Sequence, residues 1–536
     1  MWNDRRKPYP WLTSLTNLSG APTENSGAPF LFVTINTVNM SIFNTTSTGT
    51  KTTNLAGGPA YSQSPALELL SILLTHFGQD QYYRTAGETF ERLKFLIDIV
   101  DPKFTAKAAI YARNEFGMRT ITHVVASELS TTMARGAKYK NGDDLHDNTW
   151  LKSFYDQIIR RPDDMIEIMA YHKTRFKKYP RAMLKGFAKA FDRFDAYQLA
   201  KYRSEGKDIK LVDVVNVCHP KPTEKNAEAL SMLMRGELKS TATWEAMLTR
   251  AGQSGSSEEQ TAQFKKEAWI ALVRGGNMPY LALLRNIRNI LEQAPEVLDE
   301  ALVILTDPER IKKSLVLPFR YMSAYYEISK EGRGMEGRAV LMALNRAVDI
   351  SFENVPVFEG ETLVVVDVSG SMIEKQVTLG AKSPHRIASL FAAAIAKANN
   401  ADIMLFAADA KYHIYNPKDT ITSIAAYIHF GGGSTNFHAI FQRANRKYDR
   451  IIILSDMQGW VDPRYSPVTD FQIYKQRTGA DPFIYSFDLQ NYGTMQFPER
   501  NVFCLAGFSE KIFDIMGMLE SDSNAMIKKI EEGVVL

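Results

Sequence analysis

Cysteine is nearly missing. Cys218 and Cys504 are the two in 536 residues, far apart and without metal-ligand spacing. That excludes a disulfide scaffold and fits a reducing compartment. No apolar run is long enough to span a bilayer, and the start, Met1-Trp2-Asn3-Asp4-Arg5-Arg6-Lys7-Pro8, lacks the apolar core of a signal peptide. The expected setting is the cytoplasm, without a membrane partner. Gly-x-x-x-x-Gly-Lys-Ser/Thr is absent, which argues against a P-loop NTPase, and so is Gly-x-Ser-x-Gly, which removes the simplest hydrolase. A large excess of one charge is missing too. The 64 Lys and Arg against 60 Asp and Glu leave +4, too little to name a partner, so local clustering has to.

What is present divides into three regions, as expected of a chain too long for one core. Residues 1–60 are rich in Asn, Thr, Ser, Gly and Pro, as in Asn44-Thr45-Thr46-Ser47-Thr48-Gly49-Thr50, and predict an irregular arm with at most a short strand at Phe30–Val33. Residues 61–350 carry helical apolar faces (Leu67, Leu69, Leu70, Ile72, Leu73; then Phe90, Leu93, Leu96, Ile97) at roughly 20-residue intervals, the texture of stacked HEAT-like hairpins without a strict period. After a break at Ser351–Gly360 the grammar alternates strand and helix over 361–536. Strands are predicted at 362–367, 402–408, 450–456, 482–487 and 501–505, with helices at Arg386–Lys397 and Phe437–Lys447 among the connections. Such alternation predicts a mostly parallel, doubly wound α/β sheet, hence a multidomain protein with an all-α part and an α/β part.

The first strand of that sheet, Val364-Val365-Val366, ends in Asp367-x-Ser369-x-Ser371. One carboxylate and two hydroxyls on a loop at a strand's carboxyl end lie where open α/β sheets bind ligands, and hard oxygen donors suit Mg²⁺. Gly431-Gly432-Gly433-Ser434-Thr435 follows as a glycine-rich loop, and Arg450–Asp456 delivers a second carboxylate at a strand end. The competing reading is a buried Asp that caps the next helix while the serines serve the turn. The order strand, Asp-x-Ser-x-Ser, helix resembles the metal-ion-dependent adhesion site of von Willebrand factor A (vWA) domains. That resemblance implies Mg²⁺ or another divalent cation held by Asp367, Ser369, Ser371, Thr435 and Asp456, with one position left for a partner. No His, Lys or Cys accompanies the motif, and no enzyme activity is expected from it.

Between His172 and Arg193 lie eight Lys or Arg (Lys173, Arg175, Lys177, Lys178, Arg181, Lys185, Lys189, Arg193) against one acid, Asp192. Arg181, Lys185, Lys189 and Arg193 recur every four residues along a helix stripe, while Leu184, Phe187, Phe191 and Phe194 form the apolar stripe. Like charges at that spacing weaken a helix unless a polyanion offsets them, and phosphate backbones are the obvious candidate; a solvated helix face is the alternative. Lys201 and Lys207 to Lys221 extend the basic character. Arg113, Arg119 and His123 flank a helix end, a Gly break and a new helix start, where capping and packing compete with binding.

Strings spread along residues 54–520 resemble the Ro (TROVE-domain) ribonucleoprotein family. They are Asn54-Leu55-Ala56-Gly57-Gly58, Asp80-Gln81-Tyr82-Tyr83, Lys201-Tyr202 with Asp213-Val214-Val215 and His219-Pro220-Lys221-Pro222, Trp244 with Leu248, Pro279–Ile287 with its Leu-Leu-Arg-Asn core, Pro318-Phe319-Arg320, and Cys504–Ser509. The resemblance implies a monomeric ring of HEAT-like repeats closed by a vWA domain. It also implies a noncatalytic ribonucleoprotein that binds small noncoding Y-like RNA on its basic outer surface. Single-stranded 3′ ends of misfolded RNA would enter a central hole, and an exoribonuclease would be a partner. Lys201 and His219 match family RNA-binding positions. Arg119 and Arg285, with Lys173, Arg175, Lys177, Lys178, Arg181, Lys185 and Lys189, complete the candidate RNA contacts. The long arm departs from the family pattern. From other classes come two alternatives, a Mg²⁺-dependent vWA protein-interaction scaffold without RNA and an accessory subunit that serves a separate ATPase.

Overall fold

The computed structural model describes residues 51–536 apart from 55–58, 63, 77–84, 135–148, 240–243, 277, 315, 317, 331–333, 354, 374–383, 460–467, 491–493, 496–501, 506–515, 517–519 and 521–524. The expected arm up to residue 50, its strand at Phe30–Val33 and the Asp80–Tyr83 string lie outside the described residues.

Residues Pro65 to Ser351 are helical almost throughout. Local sequence starts these helices. Thr85 and Glu88 form a capping box at the Ala86–Ile99 helix, and Asp101 accepts from the Phe104 amide at 2.7 Å before Pro102 opens the next. Neighbouring helices pack on one another and their apolar stripes share one core, with Leu93, Leu96, Ile97, Phe154, Ile166, Phe187, Leu283 and Ile290 at 2 % exposure or less. Gly186 is needed where the Arg181–Ala190 helix crosses Thr149–Ile158: a Cβ there would stand 2.4 Å from Tyr155 Cβ and 2.8 Å from the Lys152 carbonyl.

The chain from residue 362 builds the α/β part. Its strands are β3 (Thr362–Asp367), β4 (Asp402–Phe406), β5 (Ala410–His413), β6 (Arg450–Ser455), β7 (Phe483–Asp488) and β9 (Val502–Leu505), after β1 (Lys51–Thr53) and β2 (Pro59–Ser62), with β8 at Thr494–Met495. The main sheet runs β5-β4-β3-β6-β7-β9, parallel except for the β4–β5 hairpin. Alternation puts Val364 and Val366 on one face against the Pro384–Asn399 helix. Leu363 and Val365 lie on the other, in the core formed with the helices Phe437–Arg443 and Val468–Thr478. Both faces are therefore covered, as the apolar runs predict. The expected sheet is present with two differences. The strand expected at 402–408 stops at Phe406 and turns into the edge strand β5, and the helix expected over 437–447 ends at Arg443, where Ala444 leaves helical geometry.

Both ends of the helical region contact the α/β part. Strands β1, β2 and β8 form a small antiparallel sheet, and Asn54 Nδ2 donates to the Gly459 carbonyl at 2.5 Å. The C-terminal helix Ala525–Gly533 returns to the Pro102–Glu115 helix, where Lys107 bonds the Glu531 carbonyl and Ile527, Ile530 and Val534 are buried. At the far end the Gly334–Ser351 helix receives the Ile421–Tyr427 helix: Ile421 N donates to Asp349 Oδ1 at 3.1 Å and Thr422 Oγ1 to Asn345 Oδ1 at 2.6 Å.

Candidate metal centre and candidate nucleic-acid interface

β3 connects outward to β4, and β6 lies on its other side, so the strand order reverses between β3 and β6. That crevice, outside the carboxyl ends of the strands, holds Asp367 and Asp456. The five candidate ligands are all buried: Asp367, Ser369 and Asp456 at 0 %, Thr435 at 3 % and Ser371 at 5 % exposure. Ser369 N donates to Asp367 Oδ1 at 2.9 Å, the Ser369 and Ser371 hydroxyls are 3.3 Å apart, and Ser455 Oγ donates to Asp367 Oδ2 at 2.5 Å. The glycine-rich loop is tied to the first loop through its backbone, Gly432 N to the Val368 carbonyl at 3.1 Å and Gly370 N to the Gly433 carbonyl at 3.2 Å. Gly432 and Gly433 take φ of 75° and 105°, which side-chain-bearing residues disfavour. This carries Thr435 to the same end of the sheet.

The electrostatics are those of a site short of positive charge. Burial raises the Asp367 carboxyl to about 6. Burial, and then the charge of Asp367, pushes Asp456 well above the carboxylate range. Asp456 Oδ1 accepts from Gln458 N at 3.2 Å, while Asp456 Oδ2 is buried with no well-formed hydrogen bond among the described residues, the Ser371 hydroxyl being near enough to lower this carboxyl in part. An orphaned carboxylate oxygen among buried hydroxyls fits a hard divalent cation better than a helix cap, because a cap satisfies its own oxygens. Clusters of three or more His, Cys, Asp or Glu suited to a metal are absent among the described residues, and the candidate donors here are two carboxylates with three hydroxyls.

A third acid stands beside them. Asp488 ends β7 in register with Ser455, is 2 % exposed, and its charge also raises Asp456. Three neighbouring strands thus end in the same turn: Ser369, Gln458 and Gln490 amides donate to Asp367, Asp456 and Asp488 respectively. Gln490 Nε2 also donates to the Ser371 carbonyl at 2.8 Å, which locks the first loop. Asp488-Leu489-Gln490 resembles Asp456-Met457-Gln458, and that repeat is the signal by which sequence alone could have found it.

The basic stretch divides. Lys173, Arg175, Lys177, Lys178, Arg181, Lys185 and Lys189 are all exposed, from the end of the Pro162–Arg175 helix through the Arg181–Ala190 helix. Arg175 pairs with Glu128 at 2.6 Å and Lys189 with Asp192 at 2.7 Å. Lys173, Lys177, Lys178, Arg181 and Lys185 have no ion-pair partner among the described residues. Arg193 leaves the stripe, because the helix ends at Ala190 and its guanidinium binds Asp156 and the Ile159 carbonyl. Phe187, Phe191 and Phe194 are buried, as the apolar stripe predicts. The Leu211–Cys218 helix packs on both basic helices, and Tyr179, raised first by burial, is raised further by the charge of Asp213 on that helix. His219 ends that helix, which packs on the helices flanking the Lys177–Arg181 turn. It is exposed and left-handed, with φ 50° and ψ 59°, a strained choice for a residue other than Gly.

Lys201 lies elsewhere, 5.8 Å from the Tyr202 ring, which Arg161 covers at 5.2 Å at the start of the Pro162–Arg175 helix, about 20 Å from its basic end. Beneath is a network that sequence did not expose. Arg119 pairs with Asp163 at 2.7 Å, Asp164 at 2.8 Å and Glu167 at 3.2 Å; Arg113 pairs with Asp164 at 2.9 Å; and His123, fully buried, stands 3.2 Å from both Asp164 and Glu167. Burial opposes ionisation of Asp164, but His123, Arg113 and Arg119 outweigh it and hold this carboxyl well below the usual range. The Arg119 charge is neutralised in place. Arg285 is separate again, exposed on the Tyr280–Gln293 helix.

Telomerase protein component 1 of Mus musculus is 20% identical over 307 residues, 43% of this chain and 11% of that protein. Its Rattus norvegicus counterpart is 20% identical over 318 residues with the same shares. The chain spans about a tenth of the length of these curated relatives. The crystal structure of Deinococcus radiodurans RO (RSR) protein superposes with a TM-score of 0.50 at 16% identity, over 88% of this chain and 100% of that one, a likeness of fold. The TROVE domain family model matches residues 79–266 and 234–350, together just over half of the chain and nearly all of its helical region, and the protein belongs to the TROVE domain family.

Proposed function

We propose that this chain is a noncatalytic, RNA-binding protein of the Ro type, a cytoplasmic, monomeric ribonucleoprotein. Family membership supports RNA binding in general. The observation that carries the reading is the row of exposed cations Lys173, Lys177, Lys178, Arg181 and Lys185, none of them ion-paired among the described residues, with His219 at the end of a helix that packs on the same two helices. Five cations with no anion among the described residues are held at a cost that a phosphate backbone reverses. In this reading the basic face binds a small noncoding, Y-like RNA. The helical region, which meets the α/β part at both ends, forms a ring whose central hole admits single-stranded 3′ ends of misfolded RNA, and an exoribonuclease is a partner.

The α/β part is read as a vWA domain. Asp367, Ser369, Ser371, Thr435 and Asp456 would hold Mg²⁺, supported by the orphaned Asp456 oxygen. When bound, the ion supplies a charge that offsets the two carboxylates and a position for an outside oxygen ligand. The protein's own part is to keep the donors dry and oriented: Ser455 and the Ser369 amide hold Asp367, and Gln490 holds the Ser371 turn.

The test is a salt series. Five phosphate contacts predict a slope of log K against log salt of about −3.5 to −4.5. Reversing two charges, Lys178→Glu with Lys185→Glu, should flatten that slope by at least about 1.5. Binding of structured RNA that is absent, or indifferent to salt, refutes the reading. Mg²⁺-dependent capture of a protein that survives ribonuclease and is lost in Asp367→Ala would favour the vWA scaffold instead.

A further inference from the structure

Two of the exposed cations, Lys177 and Lys178, stand not on a helix but on the turn that joins the Pro162–Arg175 and Arg181–Ala190 helices. Local sequence does little to fix that turn. Phe176, at its start, is extended with φ −135° and ψ 148°, and Pro180, at its end, gives the next helix no side-chain cap. Adjacent ammonium groups also repel one another, which favours splaying the loop apart.

What holds the turn comes from the core. His172, near the end of the Pro162–Arg175 helix, is fully buried, and its ring packs against Phe176, with centroids 4.8 Å apart, and against Tyr179 at 5.6 Å. Its Nε2 lies 3.0 Å from the Lys178 carbonyl, and its Nδ1 lies 2.8 Å from Ser127 Oγ on the Thr120–Ala134 helix. A carbonyl only accepts, so Nε2 carries the proton and donates it, and Nδ1 then accepts from the Ser127 hydroxyl. Burial lowers the pKa of the ring, against the Lys178 carbonyl and the charge of Glu128, in keeping with this neutral form. Both nitrogens are therefore committed, one to a rigid helix and the other to the middle of the basic turn. Tyr179 adds a second tie, its hydroxyl donating to the Met169 carbonyl at 3.4 Å.

We propose that His172 is a positioning residue for the basic face, a buried strut that fixes the Lys178 carbonyl and so presents the Lys177 and Lys178 ammonium groups together before any phosphate arrives. Ordering two cations in advance spares that cost at the moment of binding. The proposal rests on the RNA-binding reading above and adds to it a residue that itself touches no RNA. A ring that only filled the core would act on the helical region as a whole. A strut acts through Lys177 and Lys178 alone, and that difference is measurable.

The experiment is a double-mutant cycle on the full chain, read as affinity for a blunt RNA hairpin at fixed salt. His172→Leu, which keeps the bulk and loses the donor, should weaken binding by roughly threefold to tenfold, the worth of one hydrogen bond. His172→Gln, which keeps a donor for the Lys178 carbonyl, should recover most of that loss. In a background of Lys177→Ala with Lys178→Ala, which still binds through Lys173, Arg181 and Lys185, His172→Leu should change affinity by less than about twofold. Ser127→Ala, the milder change to use should His172→Leu fail to fold, should follow the same pattern with a smaller loss. Equal losses in the two backgrounds make His172 a core residue and overturn the proposal, as does undiminished binding in the wild-type background; both results leave the RNA-binding reading standing. A wild type that does not bind the hairpin overturns both.

Discussion

Asp456→Asn tests the metal centre through stability. In the metal-free protein Asp367 and Asp456 are both fully buried, and Asp456 feels the charge of Asp367 as well. A carboxyl whose folded value is about 6 and whose unfolded value is near 4 costs the fold about 3 kcal/mol at pH 7, at about 1.4 kcal/mol per unit. Because the folded value is raised, that cost is absent below about pH 4, grows between about 4 and 6, and is constant above. Asp456 is raised further still, and asparagine at 456 removes that carboxyl's own cost because it has no proton to take up, while its amide oxygen still accepts the Gln458 N–H. The variant should gain about 2 kcal/mol in chelator at pH 7, and the gain should shrink toward pH 4.

A unit of roughly 150–250 residues shifts its melting temperature by about 2–4 °C per kcal/mol, so the α/β transition should rise by about 4–8 °C in EDTA. Mg²⁺ at a hundredfold excess over its dissociation constant adds about 2.7 kcal/mol to the wild type and should add almost nothing to Asp456→Asn. Scanning calorimetry at pH 7 and pH 4.5, with EDTA and with Mg²⁺, reads all four numbers. A variant that melts below the wild type in EDTA, or that keeps the wild-type response to Mg²⁺, refutes the argument that this pair of buried carboxylates awaits a cation.

Arg119→Ala should cost about 3–5 kcal/mol by leaving Asp163, Asp164 and Glu167 underpaired, read by urea unfolding, with no change in the salt slope of RNA binding beyond what unfolding explains. The same network sets acid stability. Asp164 and Glu167 are lowered in the folded state, so their contribution is present above about pH 4–5 and lost as pH falls through their folded values; a helical region insensitive to pH between about 5 and 2 would contradict this. Gly186→Ala should destabilise by about 1–3 kcal/mol, because the new methyl meets Tyr155 and the Lys152 carbonyl inside van der Waals distance. His219→Gly should relieve about 1 kcal/mol of left-handed strain, offset in part by unfolded-chain entropy, yet weaken RNA binding; a variant that binds fully would make His219 a C-cap and nothing more.

The parts of this protein that were legible in its sequence are those where one stretch of chain decides the outcome. A helix shows its buried stripe at its own spacing, so the Ala86–Ile99 and Tyr280–Gln293 helices could be read directly, as could β3 and β6, whose unbroken apolar runs demand cover on both faces. β5 could not, because Ala410-Lys411-Tyr412-His413 is an edge strand with one face wet, and its sequence is indistinguishable from a turn. The same limit governs the sites. Asp367, Ser369 and Ser371 sit on one loop and declare themselves, whereas Asp488 acquires meaning only because β7 lies beside β6 and in register with it.

Charge is the least local property of all. Lys173 and Lys185 look no different in sequence from Arg175 and Lys189, and whether a cation is free depends on acids such as Glu128, which lies on a helix distant in the chain. Arg119 makes the point most strongly: three carboxylates from the Pro162–Arg175 helix close around it, and a residue that reads as a basic contact becomes the middle of a neutral, buried network. Arg285 and Arg320 are the converse. They stand on two helices 35 positions apart, and only the packing of those helices brings the two guanidiniums within electrostatic reach. Predictions about RNA contacts should therefore be ranked by which cations the fold leaves unpaired, and a mutagenesis series ordered that way, Lys178 and Arg285 before Arg119 and Arg175, should show binding loss separating from stability loss. If instead Arg119→Ala and Lys178→Ala lose RNA affinity equally at matched stability, local charge density rather than pairing governs this surface.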